Sequence, residues 1–486
     1  MRTWFRPDIE GLRALAVLVV VANHAWRFPT GGYVGVDIFF VISGYLITRA
    51  LLREKEYKGA ISLGRFYTRR FARLAPAAIA TIAVTVAMSN LLFFGVTNAS
   101  WNQQAFTSLL WVQNWNLVHA RTVYLDANAS VSLFQHFWSL SVEEQFYAFW
   151  PWVLILAWAA VAVWAAVAKR RPPHLRSTVL VVGVLGFAAS LAFSIWLTDS
   201  RPASAYFATP TRVWEFAAGV IAAAGFAGVS RRVPAKALRA AGLAAILISA
   251  VLFDTTTPFP GAAALLPVLG TVVVIVAAER AATDRDYGRV LTLAPVRYIG
   301  RISYSLYLWH APVIVFAAAL FPGEGFVHGL LCVAASVAIA ALSYYVIEQP
   351  AWQAAVWKRL GAWLSERGNR ARLGDYPWRL CWWLSCLSAS SAESNCSRSP
   401  LRRPPPRPPG LPPKNLRRRW PSPRSGTPGG RSRPNSPHRS SPSISRVACA
   451  TRCRWLRAIV RTSGSPASRR ATENAGRPPS SATRSR

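Results

Sequence analysis

Over its first 375 residues the chain has a single cysteine, Cys332, and throughout it is short of acidic residues, with 20 Asp and Glu against 56 Lys and Arg. One cysteine with apolar neighbours supplies neither a disulfide framework nor the spacing of a thiolate metal site. No small-residue cleavage site follows the first apolar run. That run is therefore expected to stay as a helix, not to be removed as a signal peptide. Lys and Arg are also nearly missing from every second interval between apolar runs. The long polar stretch 95–136 has Arg121 as its only Arg or Lys. Acidic residues are scarcest beyond residue 375, where Glu393 and Glu473 face 22 Arg, one Lys and 18 Pro.

What is present is apolar. The chain is 52% hydrophobic with a mean hydropathy of +0.24, which together with repeated runs of membrane length excludes the soluble globular classes. Ten such runs occupy residues 12–25, 34–52, 75–94, 143–168, 179–197, 211–226, 241–253, 262–278, 302–320 and 328–346. Basic clusters follow the second, fourth, sixth, eighth and tenth. The alternation predicts an all-α, polytopic integral membrane protein of about ten transmembrane helices, with both ends of the ten-span body in the cytoplasm. Residues 1–350 form this transmembrane domain and 351–375 a cytoplasmic juxtamembrane segment. Residues 376–486 read as a disordered, basic Pro/Arg/Ser-rich tail that cannot build a packed core. The abrupt change near Asp375 also suggests a passage out of frame. A basic arm for nucleic acid or anionic lipid is the rival reading of the tail, and no nucleic-acid partner is expected.

Charged and polar residues inside apolar runs are costly and face a bundle interior or a wet cavity. The first run carries two, Arg13 and His24. Eleven residues apart, they share one helix face to within ~20° and lie ~16 Å apart along it. Asp37 stands in the second run. His136, Ser139, Glu143 and Tyr147 form a stripe around the start of the fourth, and Arg212 and Glu215 stand at the start of the sixth. The ninth carries Ser303, Tyr307 and His310. With the charge-derived orientation, His24, Asp37, Glu143, Arg212 and Glu215 are expected at similar depth. A neutral histidine beside a carboxylate makes a general base, which pairs His24 with Glu143 as catalytic candidates. Arg13, Arg69, Arg70 and Arg73 suit a phosphate-bearing donor. A structural alternative accompanies each. His24 fits a packing histidine, Arg13 a snorkelling one, and Arg69, Arg70 and Arg73 a bare topology signal. Ser141 and Glu144 fit a capping box, which would start the helix at Ser141 and leave His136 and Ser139 outside it. Arg212 and Glu215 could neutralise each other, and His310 before Pro312 could mark a kink.

Six ordered motifs carry a resemblance. They are Arg6-Pro-Asp-Ile-Glu-Gly-Leu-Arg-Ala-Leu-Ala, with Arg13 and His24 as Arg-x10-His, and Gly35-Val-Asp-Ile-Phe-Phe-Val-Ile-Ser-Gly-Tyr. Arg69-Arg-Phe-Ala-Arg-Leu-Ala-Pro and His136-Phe-Trp-Ser-Leu-Ser-Val-Glu-Glu-Gln-Phe-Tyr follow. Ile299-Gly-Arg-Ile-Ser-Tyr-Ser-Leu-Tyr-Leu-Trp-His and Ile347-Glu-Gln-Pro close the set. Over about residues 5–350 the chain resembles the acyltransferase-3 family of polytopic membrane O-acyltransferases. The resemblance implies acyl-CoA, usually acetyl-CoA, as cytoplasmic donor and a hydroxyl of a cell-surface polysaccharide or glycolipid as acceptor, such as lipopolysaccharide or another cell-envelope carbohydrate. It implies Arg13 and His24 as the paired functional residues and a bacterial inner (plasma) membrane location; from the residues themselves no metal is expected. Glu143, Arg212 and His310 are carried over with it. Long relatives continue into an SGNH-type domain, yet no Gly-Asp-Ser and no Asp-x-x-His occurs after residue 350. The alternative function is a proton-coupled transporter. No inverted repeat or Gly/Pro-broken pair of spans supports it.

Overall fold

The computed structural model describes residues 6–364, apart from 94–96, 121, 123–131, 172, 226–232, 282–288, 324, 355, 358 and 361–362. The tail, its supposed disorder and its reading frame lie outside the described residues.

All regular structure among these residues is helical. In chain order the helices are α1 Pro7–Trp26, α2 Gly35–Lys58, α3 Leu63–Leu92, α4 Thr97–Leu109, α5 Gln113–His119, α6 Phe137–Val167 and α7 Leu175–Ser200. Then come α8 Pro202–Phe207, α9 Val213–Gly225, α10 Ala235–Leu252, α11 Leu265–Ala281, α12 Arg289–Thr292, α13 Ala294–Leu320, α14 Phe326–Ser343 and α15 Gln349–Gln353. Among the described residues, eight helical stretches are long and apolar enough to cross a membrane, and they coincide with eight of the ten expected runs. The other two runs form the shorter apolar helices α9 and α11. Thirteen residues rise only ~20 Å, short of a ~30 Å hydrocarbon core. Pro210, in the 3-10 turn Thr209–Thr211 at the edge of the sixth run, precedes α9, which starts at Val213.

Several starts differ from expectation. α3 begins at Leu63, twelve residues before the expected 75, which brings Arg69, Arg70 and Arg73 into the helix. The fourth span begins at Phe137, with His136 at its N-cap, and not at Glu143 or at a Ser141 capping box. The Ser141 hydroxyl donates to the Phe137 carbonyl inside the helix and accepts the backbone N–H of Gln113 at the start of α5, so it does not cap α6. His136 and Ser139 thereby join the stripe of Glu143 and Tyr147. The ninth span begins at Ala294, where Pro295 occupies the first turn.

α2 is the most enclosed of the long helices and forms the centre of the bundle. It crosses α9 at Gly44 and Gly219. A Cβ on Gly44 would lie 2.0 Å from the Phe216 carbonyl oxygen, and one on Gly219 would lie 2.1 Å from that of Val41. Only glycine on both sides lets the backbones approach so closely. At the foot of α1, Arg6 and Asp8 form a buried ion pair, and Arg6 also donates to Tyr45 Oη (3.1 Å) and the Ile275 carbonyl (3.0 Å). That clamp joins α1 to α2 and α11.

Polar contacts gather the ends that adjoin basic segments. Glu54 of α2 meets Arg65 of α3 (3.3 Å), Glu56 of α2 meets Arg176 of α7 (3.0 Å), and Glu10 of α1 meets Arg297 of α13 (3.0 Å). Arg49 of α2 pairs with Glu279 of α11. At the other end of α1, the Thr30 hydroxyl donates to the Phe253 carbonyl past α10 (2.6 Å), and Trp26 stacks on Phe326 of α14. Up-and-down alternation requires these meetings. The bundle thus has a basic end, which holds the N-terminus of α1, and an opposite end, which holds its C-terminus.

Candidate active site

α1 and α13 run side by side. A Cβ on Gly300 would lie 1.9 Å from the Glu10 carbonyl oxygen, so the two backbones nearly touch at the basic end. The Arg13–His24 stripe consequently faces α13 at two levels. Arg13 Nε donates to Ser303 Oγ at 3.1 Å. Near the other end His24 meets His310, with ring centroids 4.9 Å apart and planes at 84°.

Around Arg13 lies a cavity of about 80 Å³, walled by α1, α2, α3, α6 and α13. At 10–15 Å³ per water, that space holds several waters or a small acyl group. Arg70 and Arg73 enter it from α3, Ser43 from α2, Glu143 and Tyr147 from α6, and Ser303 and Tyr307 from α13. Arg70 rests over the Tyr147 ring, 4.4 Å from guanidinium carbon to ring centre. Glu143 accepts from the Ser43 and Tyr147 hydroxyls. None of Arg13, Arg70 and Arg73 forms an ion pair among the described residues. Three guanidinium groups and one carboxylate line the cavity, with Glu144 within electrostatic reach of Arg70 and Glu348 within reach of Arg13 and Arg73; the lining itself is the more positive part and suits an anionic ligand. Arg69 is not part of it. It lies ~40° further round α3 than Arg73 and is exposed.

The second level is a group of three histidines. His24 Nδ1 bonds the Val20 carbonyl (2.9 Å), His310 Nδ1 that of Tyr307 (2.7 Å) and His136 Nε2 that of Leu308 (3.1 Å). A carbonyl only accepts, so each of these nitrogens carries the proton, and each ring keeps its other nitrogen as a lone pair. His136 and His310 are buried, while His24 is half-buried and accessible. His136 and His310 have centroids 5.4 Å apart. Tyr307 joins the two levels. It lines the cavity, and its hydroxyl donates to the His136 carbonyl (3.1 Å) and lies 2.6 Å from Ser139 Oγ.

The expected His24–Glu143 pairing does not form. Glu143 is seven residues, or ~10 Å, along α6 from His136. It therefore falls at the level of Arg13, and α6 presents His136 at the level of the histidines. The Val20 carbonyl sets the His24 tautomer in place of a carboxylate.

Asp37, Arg212 and Glu215 come together elsewhere. Arg212 reaches Asp37 Oδ1 at 3.2 Å and Glu215 Oε1 at 2.8 Å, and all three side chains are fully buried. Phe40, Trp138, Tyr206 and Phe259 surround the guanidinium, each ring centre 5.4–5.6 Å from its carbon. None of the three charged residues lines the cavity, and Phe40 stands between the two sites. The i,i+3 pair expected from sequence thus acquires a second carboxylate from α2 and ties α2 to α9. Sequence reasoning missed Ser43 as a Glu143 partner, since a serine in an apolar run gives no signal of its own. The Arg6–Asp8 clamp was visible only as part of a motif.

Comparison with known proteins completes the picture. The acyltransferase-3 profile, described as an acyltransferase domain, matches residues 6–345. The peptidoglycan O-acetyltransferase OatA of Listeria monocytogenes is 32% identical over 363 residues, covering 71% of this chain and 55% of that protein. YrhL of Bacillus subtilis, provisionally named a peptidoglycan O-acetyltransferase, is 32% identical over 357 residues, 71% of this chain and 54% of its own length. SAS0844 of Staphylococcus aureus, provisionally named an O-acetyltransferase, is 31% identical over 359 residues, 71% of this chain and 57% of its own. No solved structure matches. The chain spans a little over half the length of these relatives, and it belongs to the acyltransferase-3 family.

Proposed function

We propose that the chain is a membrane O-acyltransferase that takes an acetyl group from acyl-CoA and passes it to a hydroxyl of a cell-envelope polysaccharide, peptidoglycan being the acceptor class that the names of its relatives suggest. The observation that carries this reading is the junction of the two levels: an arginine-rich cavity and an accessible histidine on one helix, joined through Tyr307. In this reading Arg13, Arg70 and Arg73 hold the phosphates of the donor at the basic end, taken as the cytoplasmic side of a bacterial plasma membrane in line with the positive-inside rule. His24 keeps its Nδ1 proton on Val20 and uses Nε2 as the base toward the acceptor hydroxyl. The thioester C–S bond breaks and an ester C–O bond forms. The hydroxyl proton passes to His24 and then to the departing thiolate, so no proton is gained or lost. Glu143, held by Ser43 and Tyr147, balances part of the arginine charge.

Membranes holding the full chain, incubated with acetyl-CoA labelled in the acetyl group, test this. Label is expected in surface glycan or on the protein, with release of free CoA. A labelled solute gradient without covalent transfer would instead support the transporter alternative. Acetyl-CoA left intact would end the transferase reading.

A further inference from the structure

The stretch between α3 and α6 is polar in sequence, yet α4 and α5 do not lie over the end of the bundle as a loop. α4 sets out from the end opposite the basic one. There Phe93, which caps α3, stacks on Phe316 near the C-terminus of α13 and meets Trp101 of α4. The turn between α4 and α5 lies much deeper. Gln145 Nε2 donates to the Trp111 carbonyl in that turn (2.9 Å) and to Asn114 Oδ1 (2.9 Å), and the Gln113 N–H reaches Ser141 Oγ (3.2 Å). Gln145 stands eight residues, or ~12 Å, along α6 from Phe137 toward the basic end. The start of α6 is itself inside the bundle, since His136 bonds the Leu308 carbonyl, twelve residues or ~18 Å short of the end of α13. Thirteen residues long, α4 spans ~20 Å and covers this descent. The backbone of the turn is satisfied, as a membrane interior requires: the N–H groups of Leu110, Trp111 and Val112 bond the Phe106, Ser108 and Thr107 carbonyls. Exposed side chains change with depth. Asn102 and Gln103 near the start of α4 and His119 at the end of α5 are polar and exposed. About the turn the exposed residues are Phe106, Leu109, Leu110 and Val112, and Trp115 stands between the two zones, as aromatic residues do at a membrane boundary.

We propose that Thr97–His119 is a re-entrant hairpin that dips into the bilayer from the side opposite the basic end, its apolar turn a binding surface for the acyl chains of lipids in that leaflet. The polar face of the hairpin is turned inward. Asn114, Gln145 and Thr209 bond one another and tie it to α6 and to the turn before α9. The outward face of the turn offers apolar side chains alone, at a depth where hydrocarbon is the solvent. In water the same four residues would form a contiguous apolar patch. Lipid chains cover it without asking for a hydrogen bond. The inference is independent of the transferase reading, because a transporter would carry the same hairpin.

Spin labels test this on the full chain with its six cysteines replaced by alanine, reconstituted in phosphatidylcholine–phosphatidylglycerol vesicles. Labels attached at Leu110→Cys and Val112→Cys should collide more with oxygen, which partitions into lipid, than with a water-soluble nickel chelate. At Asn102→Cys and His119→Cys the order should reverse. All four positions are exposed, so the substitutions remove no buried side chain. Nickel chelate that reaches 110 and 112 as readily as 102 would put the turn in water and overturn the proposal. Labels at 110 and 112 that neither reagent reaches would put protein there and overturn it as well. A second readout needs no substitution. With the wild-type chain in vesicles of the same lipids, carrying a carbene-forming group on the acyl chain, label should appear within residues 106–112 and stay off 100–103. Val184 and Leu185, exposed on α7, serve as the internal standard. Label on these two with none on 106–112 overturns the proposal.

Discussion

Arg69, Arg70 and Arg73 are adjacent in sequence but face different surroundings, and that difference can be tested. Arg70 and Arg73 line the cavity, whereas Arg69 points away. Arg70→Lys keeps the charge and loses the planar fork, so KM for the donor should rise ~10-fold while kcat changes little. Arg69→Ala should leave both parameters within about twofold, as a surface substitution does. Steady-state kinetics with acetyl-CoA would check the pair. At this scale the sequence was informative where one helix carried the whole signal. Arg13 and His24 share a face because eleven residues make nearly three full turns. It was misleading where depth depended on a boundary. Glu143 was set level with His24 because its span was started six residues late, and the residue that α6 brings to that level is His136.

Among elements, the α2–α9 crossing decides whether the bundle closes. Gly219→Val would drive a side chain into the Val41 carbonyl and should destabilise the protein by about 1–3 kcal/mol or more, read as a lower melting temperature in detergent. The same crossing holds the Asp37–Arg212–Glu215 triad. Asp37→Ala removes one of the two partners of a buried guanidinium and should cost about 3–5 kcal/mol, shown by the same melting assay. A variant that melts like wild type would deny the triad its structural part. The Arg212–Glu215 contact was legible as i,i+3 spacing. The share of Asp37 was not, because no pattern in one chain states which helix lies opposite. Nor did hydropathy show that α9 starts only at Val213, past the turn that holds Pro210.

Across the whole molecule, the helical class and the positions of the ten apolar segments were readable from hydropathy and charge alternation, because a bilayer forces backbone hydrogen bonds inside each segment. What the sequence could not provide was the pairing of helices. α1 lies on α13, and that contact converts two separated residues of one helix into two levels of a site. If the two levels divide the labour of donor binding and proton transfer, His24→Ala separates them. Binding of acetyl-CoA and loss of its acetyl group should be measured on the same preparation of full-length protein. The account predicts donor affinity within about twofold of wild type, with acetyl transfer reduced ~10²–10⁴-fold. Undiminished transfer, or a variant that no longer binds the donor while still folded, would contradict it.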